Sequence, residues 1–251
     1  MILTVTNQKG GVAKTTTCLN LGAIAAQDDK RVCLIDLDPQ GNLTKTFTDL
    51  KESVLTVYDL LNYSTSFPEA LIPVAEKLSL IPANISLSRI ERLGAEVPDL
   101  PYRLKEKLAG YAATFDLIII DTPPTLGALT INAMTAATHL LIPIQASYYA
   151  LQGTNDLLET HNLVKSKLNP NLKLLGVLIT MYDPRTTLAR EVVAEIRTVF
   201  GGQVLSTVIR RGVKLEESPV SAQSVITYAP KSTAAEEYQA AYEELMGRCE
   251  Q

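Results

Sequence analysis

The chain has 251 residues, 46% of them hydrophobic and 20% charged, with a formal net charge of -4. These values exclude the disordered and fibrous classes, and the length suits one α/β domain. Read as one number, the negative charge also argues against a dedicated nucleic-acid binder, whose domain is usually basic.

Residues 2–6 (ILTVT) form a short apolar run, read as a buried strand. A Gly-rich turn follows. Residues 15–26 then carry Leu19, Leu21, Ile24 and Ala25 as the apolar contacts of a helix. Residues 31–36 (RVCLID) read as a second buried strand. The segment 42–73 is less regular and reads as an excursion of loop and short helix. Further strands are expected at 78–81, 117–121, 139–144, 172–180 and 204–209. Helices are expected at 104–113, 127–136, 150–168, 188–200 and 232–246. Continuous apolar strands separated by helices predict an α/β fold. Its form is a single doubly wound, mostly parallel sheet with helices on both faces, one domain over 1–251.

Cys18, Cys33 and Cys249 are scattered and form no CxxC pair. That excludes a disulfide framework and a zinc or iron–sulfur site built by one chain. The N-terminus has no charged region followed by an apolar one. No uncharged apolar run approaches the roughly 20 residues that span a bilayer. The expectation is a cytoplasmic protein.

The strongest chemical motif lies between the first strand and the first helix: Gln8-Lys9-Gly10-Gly11-Val12-Ala13-Lys14-Thr15-Thr16. A Gly-rich turn entering a helix aims backbone N–H groups at one point, and the helix N-terminus adds positive partial charge. Lys14 would meet the β- and γ-phosphates, and the Thr15 hydroxyl would ligate Mg²⁺. Gln8 and Ala13 stand where the ordinary phosphate-binding pattern has Gly. With φ positive, Ala13 costs roughly 1–2 kcal/mol; with φ negative it slightly rigidifies the turn. The bland alternative is a turn with two solvated lysines, which the strand-to-helix position disfavours.

Asp36 and Asp38 close the second strand, at the end of the sheet where α/β ligands bind. Asp38 is the candidate to orient an attacking water. Asp36 is either structural or a support behind the metal. Asp121 ends LIIID and can hold Mg²⁺ directly or through water. Without the phosphate-binding turn, these carboxylates would read as ordinary strand-end and capping residues.

QKGGVAKTTTCLNLG resembles the deviant Walker A motif, KGGxxK[ST], of the ParA/MinD ATPases. The resemblance continues through residues 34–42 (LIDLDPQGN), 116–133, 140–153, 180–186 (TMYDPRT) and 210–219 (RRGVKLEESP). It covers nearly the whole chain in order and is most similar to Soj-type ParA proteins, carboxysome-positioning relatives included. The resemblance implies a P-loop NTPase that uses ATP and Mg²⁺. It makes Lys9 the signature lysine that reaches the nucleotide of a dimer partner. It places ATP against Lys9, Gly10, Gly11, Val12, Ala13, Lys14, Thr15 and Thr16, and the metal near Thr15, Asp38 and Asp121. Lys9, Lys14 and Asp38 become the catalytic set, and residues 122–127 a second switch loop. Met181, and Arg210 or Arg211, are implied near the adenine.

The net charge is unevenly spread. Between 185 and 214, six basic residues (Arg185, Arg190, Arg197, Arg210, Arg211, Lys214) stand against Glu191 and Glu195, a net of +4, leaving -8 for the remainder. The resemblance implies non-specific DNA binding there, with Arg185, Arg211 and Lys214 the candidates. A scatter of solvated charges is the alternative. The resemblance further implies a nucleoid-associated homodimer, and a cargo-bound adaptor that stimulates hydrolysis. The cargo would be a plasmid, a chromosome origin or a protein assembly.

His139 and His161 lack visible partners and read as structural. Tyr148 and Tyr149 are expected near a dimer face, and Tyr228, Tyr238 and Tyr242 in the packing of the last helix. That helix carries Glu236, Glu237, Glu243 and Glu244, unlike a basic membrane-surface helix. This argues against the alternative of a MinD-like membrane-associated division regulator. The cysteine positions argue against an electron-transfer ATPase of the nitrogenase iron-protein kind. A non-enzymatic, nucleotide-gated DNA coat stays open.

Overall fold

Alternation along the strands explains the layers. In β2 (Val32–Asp36), Leu34 packs on one face while Cys33 and Ile35 pack on the other. In β5 (Leu117–Asp121), Ile119 divides from Ile118 and Ile120 in the same way. All of these residues are fully buried, so both faces of the sheet need a cover of helices. The computed structural model describes residues 1–48, 54–94, 97–148, 150–151 and 153–249.

The remaining strands are β1 (Ile2–Val5), β3 (Ile72–Ala75), β4 (Leu78–Ile81), β6 (His139–Gln145), β7 (Lys173–Tyr182) and β8 (Val204–Arg210). They form an eight-stranded sheet in the order β3-β4-β2-β5-β1-β6-β7-β8. Every pairing is parallel except β3 with β4. The expected doubly wound, mostly parallel architecture is therefore present.

One face is covered by α1 (Lys14–Gln27), α11 (Val225–Tyr228) and α12 (Thr233–Cys249). The other is covered by two groups of helices. The first comprises α3 (Val57–Leu61), α4 (Phe67–Ala70), α5 (Ser88–Leu93), α6 (Arg103–Leu108) and α7 (Ala128–Ala136). The second comprises α8 (Thr154–Lys167) and α9 (Thr187–Phe200). Two short helices, α2 (Asn42–Phe47) and α10 (Val213–Val220), complete the set among the described residues.

From β1 the chain crosses by α1 to β2 on one side. From β5 it crosses by α7 to β6 on the other. The reversal opens a crevice at the carboxyl ends of β1 and β5, where doubly wound folds place ligands. Val5, Asp36 and Asp121 lie in register at that end.

The structure corrects several expectations. The edge strand β3 is absent from the predicted set because it is alternately half-buried and exposed and contains Pro73, features of an edge. The helix expected over 104–113 stops at Leu108, and the one expected over 150–168 starts at Thr154. The irregular 42–73 segment does contain short helices. Two of them open on capping boxes, Thr56 with Asp59 and Ser66 with Glu69, so the T-x-x-D and S-x-x-E spacings were readable. Tyr228 belongs to α11, not the last helix. It is half-buried and donates to Glu217 at 3.2 Å, whereas Tyr238 and Tyr242 are core residues of α12.

That last helix docks firmly: Ala234, Tyr238, Ala241 and Leu245 are buried against α1 and β8. Its Glu244 accepts from the Ser206 and Thr207 N–H groups at 2.8 and 3.0 Å, and Glu237 from the Arg210 N–H at 2.8 Å. These carboxylates cap the open edge of β8, which would otherwise present unpaired donors. Among the described residues, no helix is long and apolar enough to cross a membrane.

Candidate functional site

The turn between β1 and α1 is held from several sides. The Asn7 side chain accepts from the Lys9 N–H at 2.9 Å and donates to the Pro143 carbonyl at 2.8 Å. Gln8 donates to the Gly153 carbonyl at 2.8 Å. Thr180, near the end of β7, donates to the Val12 carbonyl at 3.1 Å. Gly11 and Ala13 both adopt left-handed backbone, with φ of 71° and 65°. Ala13 therefore takes the strained branch of the expectation, at a cost of roughly 1–2 kcal/mol. It is also the residue that precedes the first turn of α1 and has no capping side chain.

A cleft of about 540 Å³ opens above this turn, lined by Gly10, Gly11, Ala13, Lys14, Thr15 and Thr16. Asp38, Gln40, Asn42 and Thr46 also line it, as do Pro124, Met181 and Pro219. Met181 has a φ of 53°, a second strained residue beside the cleft. Sequence reasoning missed Gln40, Asn42 and Thr46. Gln40 and Asn42 follow Asp38 in the sequence DPQGN, and Thr46 lies one turn further along α2.

Beneath the cleft lies a buried charged cluster. Thr15 donates its hydroxyl to Asp121 Oδ2 at 2.6 Å. The other oxygen, Asp121 Oδ1, is buried and has no hydrogen-bond partner. Burial, with the neighbouring Asp36 carboxylate, pushes Asp121 up to about 8. Asp36 is pushed to about 6 by burial, although Thr44 donates to it from both its N–H and its hydroxyl, at 2.8 and 2.7 Å. Asp36 is thus occupied in holding α2, the structural one of its two expected roles. Burial lowers Lys14, opposed by Asp121 and Asp38. A lone buried oxygen beside a hydroxyl and a lysine fits a site that gains a divalent cation and anionic phosphates.

Other expected residues sit elsewhere. Val12 is buried beneath the turn, and Lys9 leaves the cleft to donate to Ser147 at 3.1 Å. Arg210 does not reach the cleft. It pairs with Glu237 and lines a separate concavity of about 540 Å³ with Tyr182, Arg185, Arg211 and Glu216. The end of β7 meets both spaces, Met181 lining the cleft and Tyr182 the second concavity. The basic candidates are all paired: Arg185 with Asp183 at 2.8 Å, Lys214 with Glu217 at 2.8 Å and Arg211 with Glu216 at 3.7 Å. Counting charges over 185–214 missed these acids, which lie just outside that window.

Tyr148 is 73% exposed next to Ser147, and Tyr149 lies outside the described residues. His161 is buried with its Nε2 unpartnered, and His139 meets the Thr138 hydroxyl at 2.9 Å. Neither faces the cleft. No cluster of three His, Cys, Asp or Glu side chains able to hold a metal exists among the described residues.

Residues 1–174 match a family described as an AAA domain. The sporulation initiation inhibitor protein Soj of Bacillus subtilis is 45% identical over 244 residues, 94% of each chain. The chromosome-partitioning ATPase Soj of Thermus thermophilus is 43% identical, covering 99% of this chain and 96% of its own. Among solved structures, a cobyrinic acid a,c-diamide synthase from Mycobacterium smegmatis is similar, with a TM-score of 0.87 and 36% identity. That match covers 99% of this chain and 95% of the other, which was determined with bound ADP and magnesium. The same protein was also determined with a bound ATP analogue and magnesium.

Proposed function

The chain belongs to the family of Soj and ParA partition ATPases, and on that premise we propose that it is a magnesium-dependent ATPase acting as a DNA-bound homodimer. What carries the reading is the cleft at the switch point, which Lys14, Thr15 and Asp38 line together, with the buried Asp121 hydrogen-bonded to Thr15.

In this reading, the left-handed turn and the start of α1 present backbone N–H groups to the phosphates of ATP. Lys14 neutralises charge on the β- and γ-phosphates. Thr15 and Asp38, with Asp121 behind Thr15, would hold Mg²⁺, which offsets negative charge on the phosphate oxygens. The unpartnered Asp121 oxygen supports that assignment. Asp38 orients the attacking water, since phosphoryl transfer depends mainly on positioning and electrostatics. Lys9 leaves Ser147 and meets the nucleotide of the second protomer, supplying a cation in trans. Hydrolysis then requires a nucleotide-sandwiched dimer.

The dimer binds nucleoid DNA through Arg185, Arg211 and Lys214, which exchange their acidic partners for phosphates. A cargo-bound adaptor stimulates hydrolysis and release, and the naming of the Thermus relative favours a chromosomal cargo. Met181, which lines the cleft, contacts the adenine. Arg210 reaches the base only if it leaves Glu237.

ATPase assays with and without mixed-sequence DNA test the reading. Wild type should hydrolyse ATP, Lys14→Ala should lose nucleotide binding, and Asp38→Ala should bind ATP and lose most turnover. Undiminished turnover by Asp38→Ala removes it from the mechanism. Absence of wild-type turnover with DNA and an adaptor present would favour a nucleotide-gated coat.

A further inference from the structure

Asp121 is followed by a loop over 122–127 that leads to α7. Its near end is fixed by Thr122, which donates to the Val5 carbonyl at 2.9 Å. Its middle carries Pro124, which lines the cleft and packs beside Gly10. Its far end meets α7 at Gly127, which occupies the N-cap position and has no side chain to cap the helix.

The missing cap comes from a different element. Glu91, half-buried on α5, accepts from the Leu129 N–H at 3.0 Å with one oxygen. It accepts from the Thr125 hydroxyl at 3.0 Å with the other. One carboxylate thus ties the loop and the first turn of α7 together, and its charge suits a helix N-terminus. Thr130 adds a 2.7 Å bond to the Thr125 carbonyl. The glycine is required by the same contact. Gly127 has a φ of -83°, open to any residue, yet a Cβ there would fall on the Glu91 carboxylate.

We propose that Glu91 is a positioning residue for hydrolysis. By capping α7 across Gly127, it fixes the loop that joins the magnesium carboxylate Asp121 to the cleft wall at Pro124. This rests on the ATPase reading above. Glu91 is not among the residues that line the cleft, so it acts on turnover and not on nucleotide affinity. The loop can then close on the phosphates from one defined anchor.

The test compares Glu91→Ala, Glu91→Gln, Gly127→Ala and the Glu91→Ala/Gly127→Ala double variant. Measurements are ATP Kd, kcat and hydrogen exchange of the 122–131 amides. Glu91→Ala is expected to lower kcat about tenfold, with Kd within about twofold. Gln keeps an acceptor for Leu129 and a donor for Thr125, so Glu91→Gln should recover most of kcat. Gly127→Ala should match Glu91→Ala by displacing the carboxylate, and the double variant should be no worse than either single change. Exchange should rise in 122–131 for both single Ala variants even without nucleotide. Wild-type kcat and unchanged exchange in Glu91→Ala would overturn the proposal, as would additive losses in the double variant. If wild type itself does not hydrolyse ATP, the ATPase reading fails, and exchange alone then decides whether the anchor exists.

Discussion

Thr15 and Asp121 are joined by a 2.6 Å hydrogen bond between the first turn of α1 and the last residue of β5. The bond satisfies one carboxylate oxygen and leaves the other buried and bare. It sets two of the three expected metal-binding groups side by side.

A pH signature follows for the metal-free protein. Burial lifts Asp121 from its ordinary 3.8 to about 8. A carboxyl raised in the fold favours the native state fully below its unfolded value and loses that contribution as the pH rises through the folded one. Between about pH 4 and pH 8, wild type should lose melting temperature relative to Asp121→Asn. Magnesium binding needs the ionised form, so the shift produced by magnesium with an ATP analogue should grow over that range. Melts across pH check this, and a magnesium shift that shrinks as the pH rises would contradict it.

Ala13 offers a stability test at the phosphate turn. Its φ of 65° costs roughly 1–2 kcal/mol, while glycine adds about 0.4–1 kcal/mol of unfolded-state entropy. Ala13→Gly should therefore stabilise the protein by about 0.5–1 kcal/mol in urea titrations. A destabilised Ala13→Gly protein would show that this turn has adapted to the alanine.

The uneven legibility of these features has physical causes. Buried parallel strands such as 32–36 and 117–121 are continuous apolar runs, so they stood out. The 72–75 edge strand, half-exposed with Pro73, has no such run. Lys14, Thr15, Asp38 and Asp121 were readable because strand ends and one Gly-rich turn fix their positions. The contacts around the site were not, because Thr44 on Asp36, Ser147 on Lys9 and Glu91 on Leu129 are ordinary residue types brought together by folding. Charge counting located the basic segment but could not see that Asp183, Glu216, Glu217 and Glu237 pair with it.

The edge of β8 predicts a contrast within α12. Glu244 caps two backbone N–H groups and pairs with Arg248, whereas Glu243 accepts from Gln239 on the exposed side. Glu244→Ala should cost about 0.5–1.5 kcal/mol, since it removes two hydrogen bonds whose half-exposed donors water can partly satisfy. Glu243→Ala should stay within about 0.5 kcal/mol of wild type. Equal effects in chemical denaturation would remove the capping role.

At the basic surface, Arg185→Ala and Lys214→Ala should each weaken binding to mixed-sequence DNA uniformly. Each should lower the slope of log affinity against log salt by about 1. Fluorescence anisotropy over a salt series reads this, and unchanged slopes would move the DNA contact elsewhere.

In the proposed function, ATP held between Lys14 and Asp38 closes two chains on one another. The most direct measurement is the mass in solution of Asp38→Ala with magnesium and ATP, by light scattering after size exclusion. The expected result is a two-chain mass with ATP, a one-chain mass with ADP, and a one-chain mass for Lys14→Ala in either nucleotide. A one-chain mass for Asp38→Ala at saturating ATP would contradict it.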